Sequence, residues 1–473
     1  MKLCQITVNQ LFYDYDYSFD LFTEEYVTIL HGVNGVGKTT LFRLITAISE
    51  LDLCTIMEIP FHFIELKGEG GFSLKVSVTG DTQWLTQPLD TISSSPESSV
   101  AVLLECSGKA AGHDTSFRVP IGEISAADPQ DLQELRNQAA LRSTGGATPV
   151  ISLLTNAFFA RRRFADKELL KKYLALEKFI KSELKIFFIE ASRIFKYSVN
   201  EHDEKKADES VLLYAADLRG RICALRSAKE QLTEQLDQTF PKRVMENCHQ
   251  FREKNLPVYE KLKQKYTGDV DALEKAIGEK YDQAAAKLDD ELGDIKRLRE
   301  KLCQLGISNE ADPGNEDFDI LPDMIPMIEV YLADSRRKLS IYFENDNFYK
   351  RAFLFLSIIN NQYGFTNKEL RLDPVRGITC VTDKGRIIPL DRLSSGEKNK
   401  LCLYYELIFC CSRNSIILID EPEISLHIDW QEEYIKYLIE ICRMNNLQAI
   451  VATHSPSIVQ DHPELMIEIN AEE

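Results

Sequence analysis

Val27-Thr28-Ile29-Leu30-His31-Gly32-Val33-Asn34-Gly35-Val36-Gly37-Lys38-Thr39-Thr40 sets an apolar run, a glycine-rich bend and a lysine–threonine pair in immediate succession. Leu41, Leu44, Ile45, Ile48 and Leu51 follow at helical spacing. The stretch predicts a buried strand, a tight loop and an amphipathic helix. Residues 32–39 fit G-x-x-x-x-G-K-[ST], in which glycines let backbone N–H groups approach phosphate oxygens closely. Asn34, Gly35, Gly37 and Thr40 are candidates to line such a cradle, Lys38 to reach the terminal phosphates of ATP, and Thr39 to ligate Mg2+ through its hydroxyl. The helix points its positive N-terminal end at the same anion. A glycine turn beside a surface lysine is the bland alternative, and it would not require a strand before the bend and a helix after it.

Two more motifs follow far downstream. Ser415 to Ile419 is an apolar strand ending in Asp420-Glu421-Pro422. Asp420 is placed to hold Mg2+, directly or through water, and Glu421 to polarise an attacking water as general base. An acidic pair at a strand end also serves as an ordinary helix cap. A second apolar strand, Leu447 to Val451, leads into Ala452-Thr453-His454-Ser455, with His454 in position to contact a terminal phosphate.

Leu393-Ser394-Ser395-Gly396-Glu397 separates classes of phosphate-loop protein. Taken alone it is a capped helix start, with Glu397 three residues after Ser394 in the capping-box spacing. The same geometry presents Ser394 and the Gly396 amide at a helix N-terminus, where an anion binds.

The chain has 473 residues, enough for more than one domain, and a formal net charge of −18, which argues against bulk non-specific DNA binding. Arg161-Arg162-Arg163 beside Ala157-Phe158-Phe159 is a local basic exception, read first as a solvated or interface face. Eleven cysteines are scattered with no C-x-x-C pair, which fits reduced thiols and shows no zinc pattern. No targeting segment or run of 18 apolar residues is present, so a cytoplasmic protein without a membrane span is expected.

Between the motifs, Cys4, Ile6 and Val8 alternate as a strand, and Tyr13, Tyr15, Tyr17, Phe19 and Leu21 alternate with polar residues. Any of Tyr13, Tyr15 or Tyr17 could stack on a base, and core packing is the commoner use of each. Phe61 to Leu66, Gly68-Glu69-Gly70-Gly71 and Phe72 to Val78 predict a hairpin. Short strands are expected at 101–106 and 115–121, with loops at Ser93–Ser99 and Ser143–Gly146. From about 205 to 305 the sequence is charged and helical. Leu218, Ile222, Leu225, Lys229, Leu232 and Leu236 form one seam, and Val270, Leu273, Ile277, Ala284, Leu288, Ile295, Leu298 and Leu302 form a returning one. Pro241 and Pro257 are expected to bracket the break between them. An antiparallel hairpin with arms on the order of 35–45 residues would reach roughly 50–65 Å; an ordinary helical subdomain is the alternative. Strands resume at Leu370–Leu372, Gly377–Thr382 and Arg386–Leu390. The few residues after His454 leave no room for a second catalytic domain, on this reading.

Together, LSSGEKNKLCLYYELIF, ILIDEPEISLHIDWQ and IVATHSPSIV resemble the AAA-15/AAA-21 group of ABC-type ATPases, relatives of SMC and OLD heads found widely in bacterial anti-phage systems. The resemblance covers both ATPase lobes. It implies an α/β fold, an ABC-type P-loop ATPase head split by an inserted antiparallel helical (coiled-coil) hairpin. The lobes are expected at 1–200 and 311–473 with the hairpin at 201–310. It also implies ATP and Mg2+ as ligands. Ser394 and Gly396 would meet the terminal phosphate of nucleotide on a second head, so a homodimer of heads or a higher homo-oligomer is expected. Within the group the size, short coiled coil and lack of a Toprim domain are most similar to the ATPases of PARIS systems, with Septu and retron ATPases as competitors. The implied partners are a separately encoded nuclease effector (Toprim/DUF4435-like) and a phage trigger protein. Direct nucleic-acid binding is left open, and an SMC-like DNA-repair or DNA-tethering ATPase is the alternative function. The sequence departs from the group at Phe187-Phe188-Ile189-Glu190-Ala191-Ser192-Arg193, where relatives carry an I-P-T-Q-R-like Q-loop and Ser192 takes the place of the glutamine.

Overall fold

In chain order the secondary structure begins with β1 (Leu3–Leu11), β2 (Tyr15–Asp20) and β3 (Val27–His31), then α1 (Lys38–Glu50) and α2 (Leu53–Glu58). Strands β4 (Phe63–Gly68), β5 (Phe72–Gly80), β6 (Ser99–Ala110) and β7 (His113–Ser125) follow, then α3 (Lys167–Glu183) and β8 (Ile186–Ile189). Next come β9 (Phe195–Tyr197), β10 (Ala207–Glu209), α4 (Ser210–Lys265), α5 (Val270–Gln304), α6 (Ile325–Phe343) and α7 (Phe348–Tyr363). The chain continues through β11 (Lys368–Asp373), β12 (Gly377–Thr382), β13 (Ile387–Ile388) and α8 (Ser395–Tyr405). It finishes with β14 (Ile416–Asp420), α9 (Ile428–Asn445), β15 (Gln448–Thr453), α10 (Pro456–Val459) and β16 (Met466–Glu468). This is a computed structural model, and it describes residues 1–33, 35–80, 99–110, 113–125, 167–190, 195–197, 207–308, 320–344, 347–363, 366–424 and 428–469. The expected loops at 93–99 and 143–146, the arginine run at 161–163 and Ser192 lie outside these residues, apart from Ser99, which begins β6.

The chain divides into two compact units, Met1–Arg193 with Glu406–Glu473, and Ile194–Tyr405. Among the described residues, the first contains two sheets. One is antiparallel with order β2-β1-β4-β5-β6-β7, and the other is parallel with order β16-β3-β15-β14-β8. The parallel strands β3, β14 and β15 are buried along almost their whole length, with apolar residues at their centres, because both faces are covered. Helix α1 buries Leu41, Phe42, Leu44, Ile45 and Ile48 in a core that also takes Ile6, Leu66 and Leu74 from the antiparallel sheet and Ile416, Leu418 and Ile450 from the parallel one. Each such side chain contributes about 1.5–3 kcal/mol on burial. Gln448 joins β15 to β1 inside this unit. Its side chain accepts from Leu3 N at 2.7 Å and donates to Leu3 O at 2.7 Å. Strand β16, unanticipated from sequence, extends the parallel sheet beside β3.

The second unit carries the helical hairpin. Its first arm differs from expectation. Helix α4 is continuous over 56 residues and runs through Pro241 and Pro257, so it spans about 84 Å at 1.5 Å per residue. A helical proline orphans the carbonyl four residues back and normally kinks or ends the helix. Here Arg243 and Thr239 both donate to the carbonyl of Leu236, next to that orphan, at 2.8 and 3.2 Å. The turn comes instead at Tyr266–Asp269, where Gly268 has φ 92° and Asp269 caps α5 by accepting from Ala272 N at 3.0 Å. Seam residues Leu218, Ile222, Leu236, Leu288, Ile295 and Leu302 are buried. They do not serve a two-helix coiled coil alone, because α6 packs on both arms. Arg243 forks onto Asp334, Asn247 donates to Pro326 O at 2.8 Å, and Arg336 pairs with Glu291 at 3.0 Å. Strands β11, β12 and β13 form a small antiparallel sheet, with β13 shorter than the expected 386–390.

The structure is thus an α/β fold with a P-loop between β3 and α1, its chain interrupted by an inserted antiparallel helical hairpin. Among the described residues, no helix is long and apolar enough to cross a membrane.

Candidate functional site

The glycine-rich bend lies between β3 and α1. Gly37 caps α1 with φ 85°, a conformation that costs glycine nothing. A Cβ on Gly37 would lie 3.0 Å from Leu11 Cδ2 and 3.2 Å from Phe12 Cε2, so the β1–β2 turn presses directly on the loop. Gly32 is constrained for another reason: a Cβ there would meet Ile469 O at 2.5 Å. Tyr17 is buried, and its hydroxyl donates to Val36 O at 2.8 Å, making it a strut under the loop. Burial pushes that phenol up to about 12, with Tyr15 adding to it. Of the three tyrosines considered from sequence, Tyr15 stacks on Tyr17 with centroids 6.0 Å apart, and Tyr13 is 47% exposed. Asn34 lies outside the described residues.

Lys38 opens α1 and is itself buried. Its ammonium donates to Gly32 O at 2.7 Å and Val33 O at 3.0 Å. Burial lowers its pKa, and the carboxylates of Glu421, Asp420 and Glu423 oppose that. The first turn of α1 carries no acidic side chain, so its N–H groups and dipole are not neutralised from within.

Strand β14 lies between β15 and β8 in parallel register, with Asp420 opposite Ala452. That register brings the ends of β14 and β15 level. Thr39 Oγ1 donates to Asp420 Oδ2 at 2.8 Å. Burial raises the Asp420 pKa; the Thr39 bond and Lys38 work against this, while Glu421 and Glu423 add to it. Glu421 sits in the left-handed region with φ 44°, and its amide donates to Ala452 O at 2.9 Å. Left-handed non-glycine residues are uncommon and are held only by surrounding structure. Its Oε1 is 3.7 Å from His454 Nδ1.

A hydroxyl and a carboxylate oxygen 2.8 Å apart, beside a buried lysine, suit a hard divalent cation bound to phosphates. Among the described residues there is no group of three or more His, Cys, Asp or Glu side chains able to hold a metal. A magnesium ion needs none, since it commonly takes one or two protein ligands and fills the rest of its octahedron with phosphate oxygens and water.

Glu423 was not singled out from sequence, although a third acid in Asp420-Glu421-Pro422-Glu423 is a visible signal. It is buried, and its Oε1 accepts from Thr453 Oγ1 at 2.7 Å and from His454 N at 3.1 Å. The same oxygen lies 3.2 Å from His454 Nδ1. Thr453 Oγ1 in turn accepts from Ser455 N at 3.0 Å, and Ser455 Oγ donates to Gln431 at 2.6 Å.

Lys38, Thr39, Asp420, Glu421 and His454 therefore come together in the first unit, with Gly35, Gly37 and Thr40 on the same loop and helix. Ser394 and Gly396 belong to the second unit. There the capping box forms as the spacing predicts. Ser394 N and Oγ both donate to Glu397 Oε2 at 2.9 Å, and Glu397 N returns a bond to Ser394 Oγ at 3.3 Å. Lys368 holds the other carboxylate oxygen at 2.8 Å. Burial alone would raise the Glu397 pKa, but the Lys368 and Ser394 bonds outweigh it and the net shift is downward.

Over 73 residues, 15% of this chain and 14% of the relative, the chain is 34% identical to protein ea59 of Escherichia phage lambda. Over 107 residues, 20% of this chain and 19% of the relative, it is 33% identical to the retron Ec83 probable ATPase of Escherichia coli. The matches thus span less than a fifth of either curated relative, at 14% and 19% of their lengths. Similar solved structures include an Smc head domain with an extended coiled coil bound to the C-terminal domain of ScpA from Pyrococcus furiosus. It is 13% identical with a TM-score of 0.33, covering 99% of this chain and 94% of that one. Another is the SMC head domain of Thermotoga maritima, 12% identical with a TM-score of 0.30, covering 100% and 97%. The AAA_15 family model matches residues 1–459, and the chain belongs to this AAA ATPase domain family.

Proposed function

We propose that this protein binds ATP with Mg2+, hydrolyses it to ADP and phosphate, and works as the nucleotide-controlled sensor and scaffold of an anti-phage defence system. The convergence of Lys38, Thr39, Asp420, Glu421 and His454 carries the enzymatic part. Lys38 and the amides of residues 34, 35 and 37 hold the phosphates, with Thr40 beside them in the first turn of α1. Thr39 and Asp420 hold the magnesium ion, which when bound neutralises charge on the phosphate oxygens. Glu421 takes the proton of the attacking water and His454 contacts the terminal phosphate.

Ser394 and Gly396 supply the second half of the site to a partner copy, so nucleotide clamps two heads together, within a dimer or a higher homo-oligomer. In functional terms residues 1–200 and 311–473 act as lobes, and 201–310 as the hairpin between them. The scaffold holds a separately encoded nuclease effector of Toprim/DUF4435-like type and releases or activates it when a phage protein is detected. The motif resemblance supports this, and so does the partial likeness to a retron ATPase. Light scattering on Glu421→Gln with and without ATP tests the clamp. The expected result is an ATP-dependent doubling of mass that Ser394→Arg abolishes, and a mass indifferent to ATP would overturn it.

The inserted hairpin favours a second reading, an SMC-like DNA-tethering ATPase. That protein would show ATPase stimulation by duplex DNA falling steeply with salt, and a flat response would remove it.

A further inference from the structure

His454 directly follows β15, and its side chain is 44% exposed, so packing covers only part of its ring. Glu423 supplies what packing does not. It belongs to the turn after β14, yet both side-chain hydrogen bonds it accepts come from Thr453 and His454, at and just beyond the end of β15. Its Oε1 accepts from the Thr453 hydroxyl and the His454 amide, and stands 3.2 Å from His454 Nδ1. The Glu423 side chain is 7% exposed, against 29% for Glu421, whose oxygen is farther from Nδ1 at 3.7 Å. The two acids therefore stand differently: one is buried and accepts two hydrogen bonds, with the ring nitrogen at ion-pair distance, and the other is partly exposed.

We propose that Glu423 is a positioning residue for the ATPase site, fixing both the backbone and the ring of His454. A histidine whose one nitrogen faces a carboxylate is held in a single tautomer and orientation. With Nδ1 facing Glu423, Nε2 is the ring nitrogen left to meet a phosphate oxygen. The arrangement also keeps the Nδ1 proton away from Glu421, leaving that carboxylate to accept a proton from water. This inference rests on the ATPase reading above, and goes beyond it by naming the group that sets the histidine.

The test uses the full chain. Selective 15N-histidine labelling and long-range proton–nitrogen correlation report the His454 ring, its signal identified by loss in His454→Gln. The expected result is a protonated Nδ1 in the wild type and in Glu423→Gln, which keeps an acceptor oxygen in place, and a tautomer mixture in Glu423→Ala. In turnover, Glu423→Ala is expected to lose about 10–100-fold in kcat with little change in ATP affinity, and Glu423→Gln to recover most of it. The double variant with His454→Gln should fall no further than His454→Gln alone, because a residue that acts through another adds nothing once that one is gone. An unchanged His454 spectrum in Glu423→Ala, or additive losses in the double variant, overturns the proposal. A wild type without ATPase activity would overturn the enzymatic reading instead, and the ring spectra would still decide the role of Glu423.

Discussion

Thr39 Oγ1 donates a hydrogen bond to Asp420 Oδ2 across 2.8 Å, joining the first turn of α1 to the end of β14. The two residues are separated by most of the chain, and the parallel register of β3, β15 and β14 is what aligns them. Two hard oxygens at that spacing define the metal position of the proposed site. Thr39→Val and Asp420→Asn are each expected to weaken the magnesium dependence of nucleotide affinity by about tenfold or more. Titrating magnesium against a fluorescent ATP analogue checks this, and an unchanged magnesium dependence in both variants would place the metal elsewhere.

The tyrosines near the loop separate into two roles. Tyr17 is buried against Val36 O, so Tyr17→Phe strands a carbonyl and is expected to cost about 1 kcal/mol of stability. Tyr13, in the turn after β1, is 47% exposed, and we propose it as the tyrosine that stacks on adenine. Tyr13→Ala is expected to weaken ATP binding about fivefold, in line with roughly 1 kcal/mol of stacking, while leaving the melting temperature unchanged. Thermal melts and ATP titrations on the two variants should therefore diverge. Equal effects on both measurements would refute the division.

Lys400, on α8, is 1% exposed. Burial pushes its ammonium down to about 7 from an ordinary value of 10.5, with Glu397 pulling the other way. The unfolded chain then binds a proton that the folded chain has lost, between about 7 and 10.5. In that window stability rises with pH, and below it the dependence disappears because both states are protonated. Urea midpoints measured from pH 7 to 9 should climb in the wild type and climb less in Lys400→Met. Parallel slopes would show that Lys400 does not titrate on folding.

How much of this was legible in the sequence follows from what each element buries. Strands β3, β14 and β15 are covered on both faces, so their apolar runs stand out, and the residues at their ends could be named in advance. The capping box at Ser394 and Glu397 was equally legible because it is local. The hairpin turn was misplaced because Pro241 and Pro257 are the strongest breakers in the segment, yet α4 absorbs both. The true signal was Gly268-Asp269, a helix stop followed by an N-cap. Helix α6 went unread because its polar face is used for bonds such as Asp334 to Arg243, which no periodicity reveals. Strand β16 is three residues long, too short to show a period. Glu423 was overlooked because its side-chain hydrogen bonds come from residues some thirty positions away, at and beyond the end of β15.

The most direct test of the account is turnover of ATP by wild type, Lys38→Ala and Glu421→Gln, with nucleotide affinity measured on the same preparations. The account predicts a magnesium-dependent ATPase in the wild type and loss of both binding and turnover in Lys38→Ala. Glu421→Gln should keep near-wild-type affinity while its turnover falls by about 10²–10⁴-fold, the range for removal of a general base. Wild-type turnover in Glu421→Gln would contradict it.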